Sequence, residues 1–97
     1  MPDTQYFLSR QHPQVVAFQW SQKMGLLPEK YPSWFHATMP SCYLERYHDG
    51  RVAMIIVRAT GKVVVFENEW VVRDCHGYRA LLDSAFRVEY EQCKRPV

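Results

Sequence analysis

The stretch from Arg51 to Arg73 constrains the fold most. It is a succession of short β-branched and aromatic runs, with turn residues between them and no room for a helix. Arg51 to Thr60 reads as a strand, with Val52, Met54 and Ile56 on one face and Ala53, Ile55 and Val57 on the other. Apolar residues on both faces predict a central strand, covered on both sides. Thr60-Gly61-Lys62 turns the chain, and Val63 to Phe66 follows as a strand. Glu67-Asn68-Glu69 turns it again into Trp70-Val71-Val72-Arg73. Ahead of this block, Tyr43 to Tyr47 reads as the partner of Arg51 to Thr60. His48-Asp49-Gly50 is the hairpin turn, Asp-Gly supplying the positive φ. Parallel pairing would need crossovers of a dozen or so residues, usually helical, so the pattern predicts antiparallel pairing.

The flanks add one strand and two short helical segments. After Pro13, Val16, Phe18 and Trp20 share one face at period two, and Val15 and Ala17 share the other. Ser21 to Lys30 reads as a connection. Pro32 opens a short helix over Ser33 to Met39, burying Trp34 and Phe35, and Pro40 stops it. Ala80 to Ala85 allows a single helical turn. Phe86, Val88 and Tyr90 alternate with Arg87, Glu89 and Glu91, which predicts a final half-exposed strand. The expected fold is α+β: a small antiparallel sheet, strongly curled or barrel-like, with one or two short helices. One compact domain is expected over 12–91, with an N-terminal arm over 1–11 and a C-terminal tail over 92–97. The expected core is Phe18, Trp20, Trp34, Phe35, Ile56, Val65, Trp70, Val72, Phe86 and Val88.

Composition excludes several classes. With 47% hydrophobic and 23% charged residues among 97, the chain can bury a core and is not a disordered segment. No run approaches the roughly 20 apolar residues of a membrane span, and no secretory signal is expected at the N-terminus. A net charge of +2 does not by itself imply nucleic acid. Three widely spaced cysteines, Cys42, Cys75 and Cys93, do not describe a disulfide framework, and a reducing compartment is expected. Zinc held by Cys42, Cys75, His36 and His76 is disfavoured, because the set lacks the close ligand pairs of structural sites.

No catalytic constellation stands out. No serine lies in a G-x-S-x-G elbow, no glycine-rich phosphate loop is present, and Cys75 beside His76 is poor geometry for a nucleophile and its base. The pairs Glu67/Glu69 and Glu89/Glu91 read as solvated charges on strand edges. No catalytic residue, metal or cofactor is therefore expected.

Arginine is the more informative residue, with eight against four lysines. Arg46, Tyr47, His48 and Arg51 fall on the Asp-Gly hairpin. Arg73, His76, Tyr78 and Arg79 fall around the Arg73-to-Arg79 loop. Arginine and tyrosine carry protein interfaces and also suit phosphate contact and base stacking. These eight residues are the predicted partner-binding surface. Pairing of each arginine with one of ten acids is the plain alternative. Self-association as a two-fold dimer is expected if Val15–Ala17 lies at a sheet edge, and a monomer if residues 1–11 cover it.

Several stretches, in order, resemble a family of small uncharacterised proteins of tailed phages and prophages. The first is the strand His12-Pro13-Gln14-Val15-Val16-Ala17-Phe18-Gln19-Trp20, ending in the family's Gln-Trp pair. The second is Pro32-Ser33-Trp34-Phe35, like its Pro-x-Trp-Phe helix. The third is Asn68-Glu69-Trp70-Val71-Val72-Arg73, in place of its Gly-Asp-Trp-Ile-like turn and strand. The last is Gly77-Tyr78 with Phe86-Arg87-Val88-Glu89-Tyr90-Glu91. The likeness spans roughly residues 10–91. Asn68-Glu69 replaces Gly-Asp, and Asn can keep the positive φ. Arg79-Ala80-Leu81-Leu82 replaces the family's Cys-Lys-Pro segment. The resemblance implies a phage- or prophage-encoded protein of the bacterial host cytoplasm, with no activity to transfer to any residue. In that setting the expected function is non-enzymatic binding of a host protein, inhibiting or redirecting it in host takeover or anti-defence. A nucleic-acid-binding module and a small hydrolase or transferase are the alternatives.

Overall fold

The computed structural model describes residues 6–9, 15–74 and 76–93, with side chains described over 15–74 and 76–90. Among the described residues, eight strands form two antiparallel sheets, accompanied by one α-helix. In chain order they are β1 (Tyr6–Ser9), β2 (Val15–Gln19), β3 (Cys42–Arg46), β4 (Val52–Arg58), β5 (Gly61–Val65), β6 (Trp70–Asp74), β7 (Gly77–Leu81), α1 (Asp83–Glu89) and β8 (Tyr90–Cys93). One sheet has the order β7-β6-β2-β1-β8 and the other β3-β4-β5. The fold is thus a small antiparallel α+β domain. It has two separate open sheets, where one curled or barrel-like sheet was expected.

Hydrophobic period dictates the layers. Phe18 and Trp20 beside β6 residue Val71 meet Met54 and Ile56 of β4 and Val63 and Val65 of β5 in one apolar cluster. This is the packing of sheet on sheet. Val15 and Ala17, one position out of phase, point the other way and join Val72, Phe86 and Tyr90 beneath α1. β2 is therefore buried on both faces, and β6 and β1 occupy both its edges. Edge pairing through Val15–Ala17 is closed, because residues 6–9 of the stretch read as an arm are a sheet strand. β8 likewise crosses the expected tail boundary.

Between β2 and β3 the chain runs as short 3-10 turns, the last over Ser33–Ser41. Pro40 lies inside this segment instead of stopping it. The segment delivers Phe35 to the core, while Trp34 stays half-buried at its margin. Tyr31, which directly follows the connection expected over Ser21 to Lys30, is fully buried. Its hydroxyl accepts from Trp20 Nε1 at 3.0 Å and donates to the Gly25 carbonyl, so both buried polar groups are satisfied.

The C-terminal part departs most from expectation. The helical turn expected over Ala80 to Ala85 lies later, as the α-helix Asp83–Glu89, which takes in Phe86 to Glu89 of the expected strand, while Ala80 and Leu81 belong to β7. The alternation of Phe86, Val88 and Tyr90 suggested period two, yet Phe86 and Tyr90 are also one helical turn apart. Their rings stack at 5.0 Å, and Asp83 pairs with Arg87 at 3.1 Å, both at i,i+4 spacing. Val88 consequently faces solvent, 71% exposed, and leaves the expected core. Asn68 takes φ 67°, the left-handed turn conformation that its side chain tolerates.

Candidate functional site

The outer face of β3-β4-β5, turned away from the core, carries a built arrangement of rings and cations. Its positions follow from register. Tyr43 lies opposite Ile55, which lies opposite Val64, and Glu45 lies opposite Ala53. Met54 and Ile56 point inward, so Ala53, Ile55 and Val57 point outward. Two cross-sheet bridges pass over the middle strand. Lys62 Nζ, from β5, donates to the Tyr43 hydroxyl on β3 at 3.1 Å. Phe66, just after β5, meets Tyr47, just after β3, with ring centroids 5.4 Å apart. Beneath these bridges Ala53 and Ile55 are only 0% and 1% exposed, although they face away from the core.

The Asp-Gly hairpin locks onto this face. The Arg51 guanidinium sits 4.4 Å above the Phe66 ring, and its Nε donates to Asp49 Oδ2 at 2.7 Å. Asp49 Oδ1 also accepts from the Arg51 backbone N–H, which holds the carboxyl below the usual aspartate range. Loss of hydration and a hydrogen bond with Glu45 push the Tyr47 phenol up. The bond to Tyr43 pushes the Lys62 ammonium up. An open cleft of about 500 Å³ flanks Arg51, walled by Val52, Phe66, Glu67, Glu69 and Leu82. Glu67 accepts from the Gln22 N–H at 2.8 Å and Glu69 from the Phe66 N–H at 2.9 Å, so each carboxylate organises a turn.

The eight sequence-predicted residues do not form one surface. Tyr47 and Arg51 belong to the outer face just described. Arg46 and His48 are exposed at the same end of the sheet. Arg73 and Tyr78 lie across the Ser33–Ser41 segment. The Arg73 guanidinium is 5.1 Å over Trp34, Trp34 stacks on Tyr78 at 6.4 Å, and the Tyr78 hydroxyl bonds Thr38 Oγ1 at 2.7 Å. Arg58, closing β4, donates to the Tyr78 carbonyl at 3.0 Å. This cluster thus meets the end of β4 opposite the hairpin, a strand length of about 20 Å away. Arg79, opposite Val72 on the α1 side, forms a third group. It bonds the Tyr90 hydroxyl and pairs with Asp74 at 3.5 Å and Glu89 at 3.6 Å. His76 is exposed in the turn, where its N–H is held by Asp74 at 2.8 Å.

Sequence reasoning missed Lys62 and Phe66 as parts of the outer face. The signal was there: 62, 64 and 66 share a parity, as do 43, 45 and 47. Only the register, however, puts the two series over β4. Of the zinc candidates, Cys42 donates to the Thr38 carbonyl at 3.5 Å and His36 Nε2 lies 2.8 Å from the Pro28 carbonyl. Cys75 lies outside the described residues. Among the described residues no three His, Cys, Asp or Glu side chains converge as metal ligands. Burial pushes the Cys42 thiol up to about 11. No helix among the described residues is long and apolar enough to cross a membrane. No family model, curated protein or solved structure matches the chain.

Proposed function

We propose that this protein is a non-enzymatic binding domain that engages a host protein in the bacterial cytoplasm and inhibits or redirects it, as a phage- or prophage-encoded product would. The outer face of β3-β4-β5 is its working surface. One observation carries this reading: Arg51 over Phe66, joined to Tyr47, with Lys62 joined to Tyr43, forms a pre-ordered patch of aromatic rings and cations on a sheet. Side chains already held in place lose little rotamer freedom on binding, and tyrosine and arginine anchors dominate interface energetics. The exposed Tyr43, Val57 and Val64 supply apolar area around them. The phage setting rests on the sequence resemblance alone.

A second reading draws on the same patch, because rings and cations on a sheet also suit stacked bases of a single strand. The first is preferred because Arg51 already lies over the Phe66 ring and Lys62 lies 5.7 Å from the centre of the Tyr43 ring. The test is affinity capture from a bacterial lysate with wild type, Arg51→Glu and Lys62→Glu. Loss of the same captured protein with both folded variants is the expected result, at roughly 2 kcal/mol or more for a hot spot. Capture at wild-type strength by both would end this reading. Salt-steep binding to single-stranded oligonucleotides would replace it with the second.

A further inference from the structure

We propose that β3 pairs antiparallel with β3 of a second copy of this chain, across a two-fold axis at Leu44. β3 has β4 on one side only, and four of its five residues are exposed. Among the described residues one backbone hydrogen bond reaches its other side, at the start of the strand, where the Cys42 N–H donates to the Met39 carbonyl. The direction of its backbone groups follows from the hairpin. The Tyr47 N–H donates to the Arg51 carbonyl at 2.8 Å, so 47 and 51 are a hydrogen-bonded pair. Antiparallel pairs alternate, so Tyr43 and Glu45 turn toward β4, while Cys42, Leu44 and Arg46 turn their N–H and C=O groups outward. Unpaired groups in a row are a template for another strand. The opposite edge strand of this sheet, β5, lies against β7, and Arg58 bonds the Tyr78 carbonyl on β7. Beyond Cys42, which the Ser33–Ser41 segment holds, β3 has neither kind of cover.

The side chains select a second copy of this chain as the occupant. In a two-fold antiparallel pairing, residues on the same face oppose one another, which leaves few registers. Centring on Glu45 opposes two carboxylates, and centring on Arg46 opposes two guanidiniums. Centring on Leu44 sets Leu44 against Leu44, Cys42 against Arg46 and Glu45 against Tyr43, with about four inter-chain backbone hydrogen bonds, since the Cys42 N–H is already held by Met39. Leu44 is 40% exposed and Tyr43 37%, so both have area to bury. Glu45 would also approach the Lys62 ammonium that bonds Tyr43, an opposite charge already fixed at that spot. A register centred on Tyr43 loses about two of the backbone bonds. The product is a six-stranded sheet in which the two outer faces become continuous, and it stands independently of what that face binds.

Sedimentation equilibrium of the full chain across a wide concentration series tests this directly, with no other protein present. Wild type should show a reversible monomer–dimer equilibrium. Leu44→Pro should weaken it by at least about tenfold without unfolding the chain, because the Leu44 N–H points away from β4. Leu44→Lys keeps the backbone donor and sets two ammonium groups face to face, so it should weaken the dimer similarly, and it decides the matter if the proline variant fails to fold. A monomer at every concentration overturns the proposal. So does a dimer that the folded variants leave unchanged. Because the readout needs no partner, failure here leaves the host-protein reading intact.

Discussion

Trp70 and Phe86 lie face to face, ring centroids 4.0 Å apart and planes 4° apart, joining β6 to α1. The indole N–H adds a hydrogen bond of 2.8 Å to Asp83 Oδ1 at the start of the same helix. Asp83 also accepts from Arg87 at 3.1 Å and from Gln19 Nε2 at 3.3 Å. A seven-residue helix is too short to persist by propensity alone, so these contacts hold it.

Phe86→Ala should therefore be strongly destabilising, by about 3–5 kcal/mol, the usual range for removing a buried aromatic ring. Trp70→Ala should fall in the same range. Trp70→Phe should cost less, since a ring remains to stack on Phe86 while the indole bond and part of the ring area are lost. Chemical denaturation of the three variants measures the order.

Asp83 makes stability pH-dependent. Hydrogen bonding by Trp70, then by Arg87, lowers its carboxyl below the ordinary value. A group depressed in the folded state contributes stability fully above its unfolded pKa of about 4, and loses it as pH falls through the folded value. Wild type and Asp83→Asn should differ in unfolding free energy at neutral pH and converge in acid. A difference that persists undiminished in strong acid would contradict this.

Charge reversal should separate the arginines that the sequence treats alike. Arg51→Glu removes an exposed guanidinium and its cation–π contact, and should change stability by about 0.5–1 kcal/mol or less. Arg79→Glu sets a carboxylate among Asp74, Glu89 and Tyr90 and should cost on the order of 1–2 kcal/mol, even after discounting for partial exposure. Thermal melts of the two variants side by side read the difference.

The Cys42 thiol should be a poor nucleophile at neutral pH, because burial raises it to about 11 and the thiolate is the reactive form. Alkylation resolved by mass spectrometry should label Cys42 slowly near pH 7 and faster as pH rises toward that value. Rapid labelling at neutral pH would refute the assignment.

Much of the strand content was legible because it rests on local rules. Period-two burial marked β2 and β4. Asp49-Gly50 marked the hairpin, and Asn68 the turn before Trp70. These are properties of short windows, where side-chain alternation and φ preference act alone. The arginine–tyrosine surface was legible as composition and not as place. Arg51, Arg73 and Arg79 were read together, and the structure sends them to the outer face of β3-β4-β5, over Trp34, and toward α1.

What the sequence determined by itself was which residues alternate and where the chain must turn. It did not determine which strands become neighbours, because pairing β2 with β6 links residues some fifty positions apart and depends on which apolar faces find each other. Residues 86–90 fit both periods, and contact with Trp70 helps favour the helix over the strand. The outer face arises in the same way. Tyr43 and Lys62 meet because β3 and β5 flank β4, and neither residue carries that information in its own neighbourhood. Local sterics write the strands and turns, whereas the burial of shared apolar surface between distant segments decides the sheets, the helix and the surface they present.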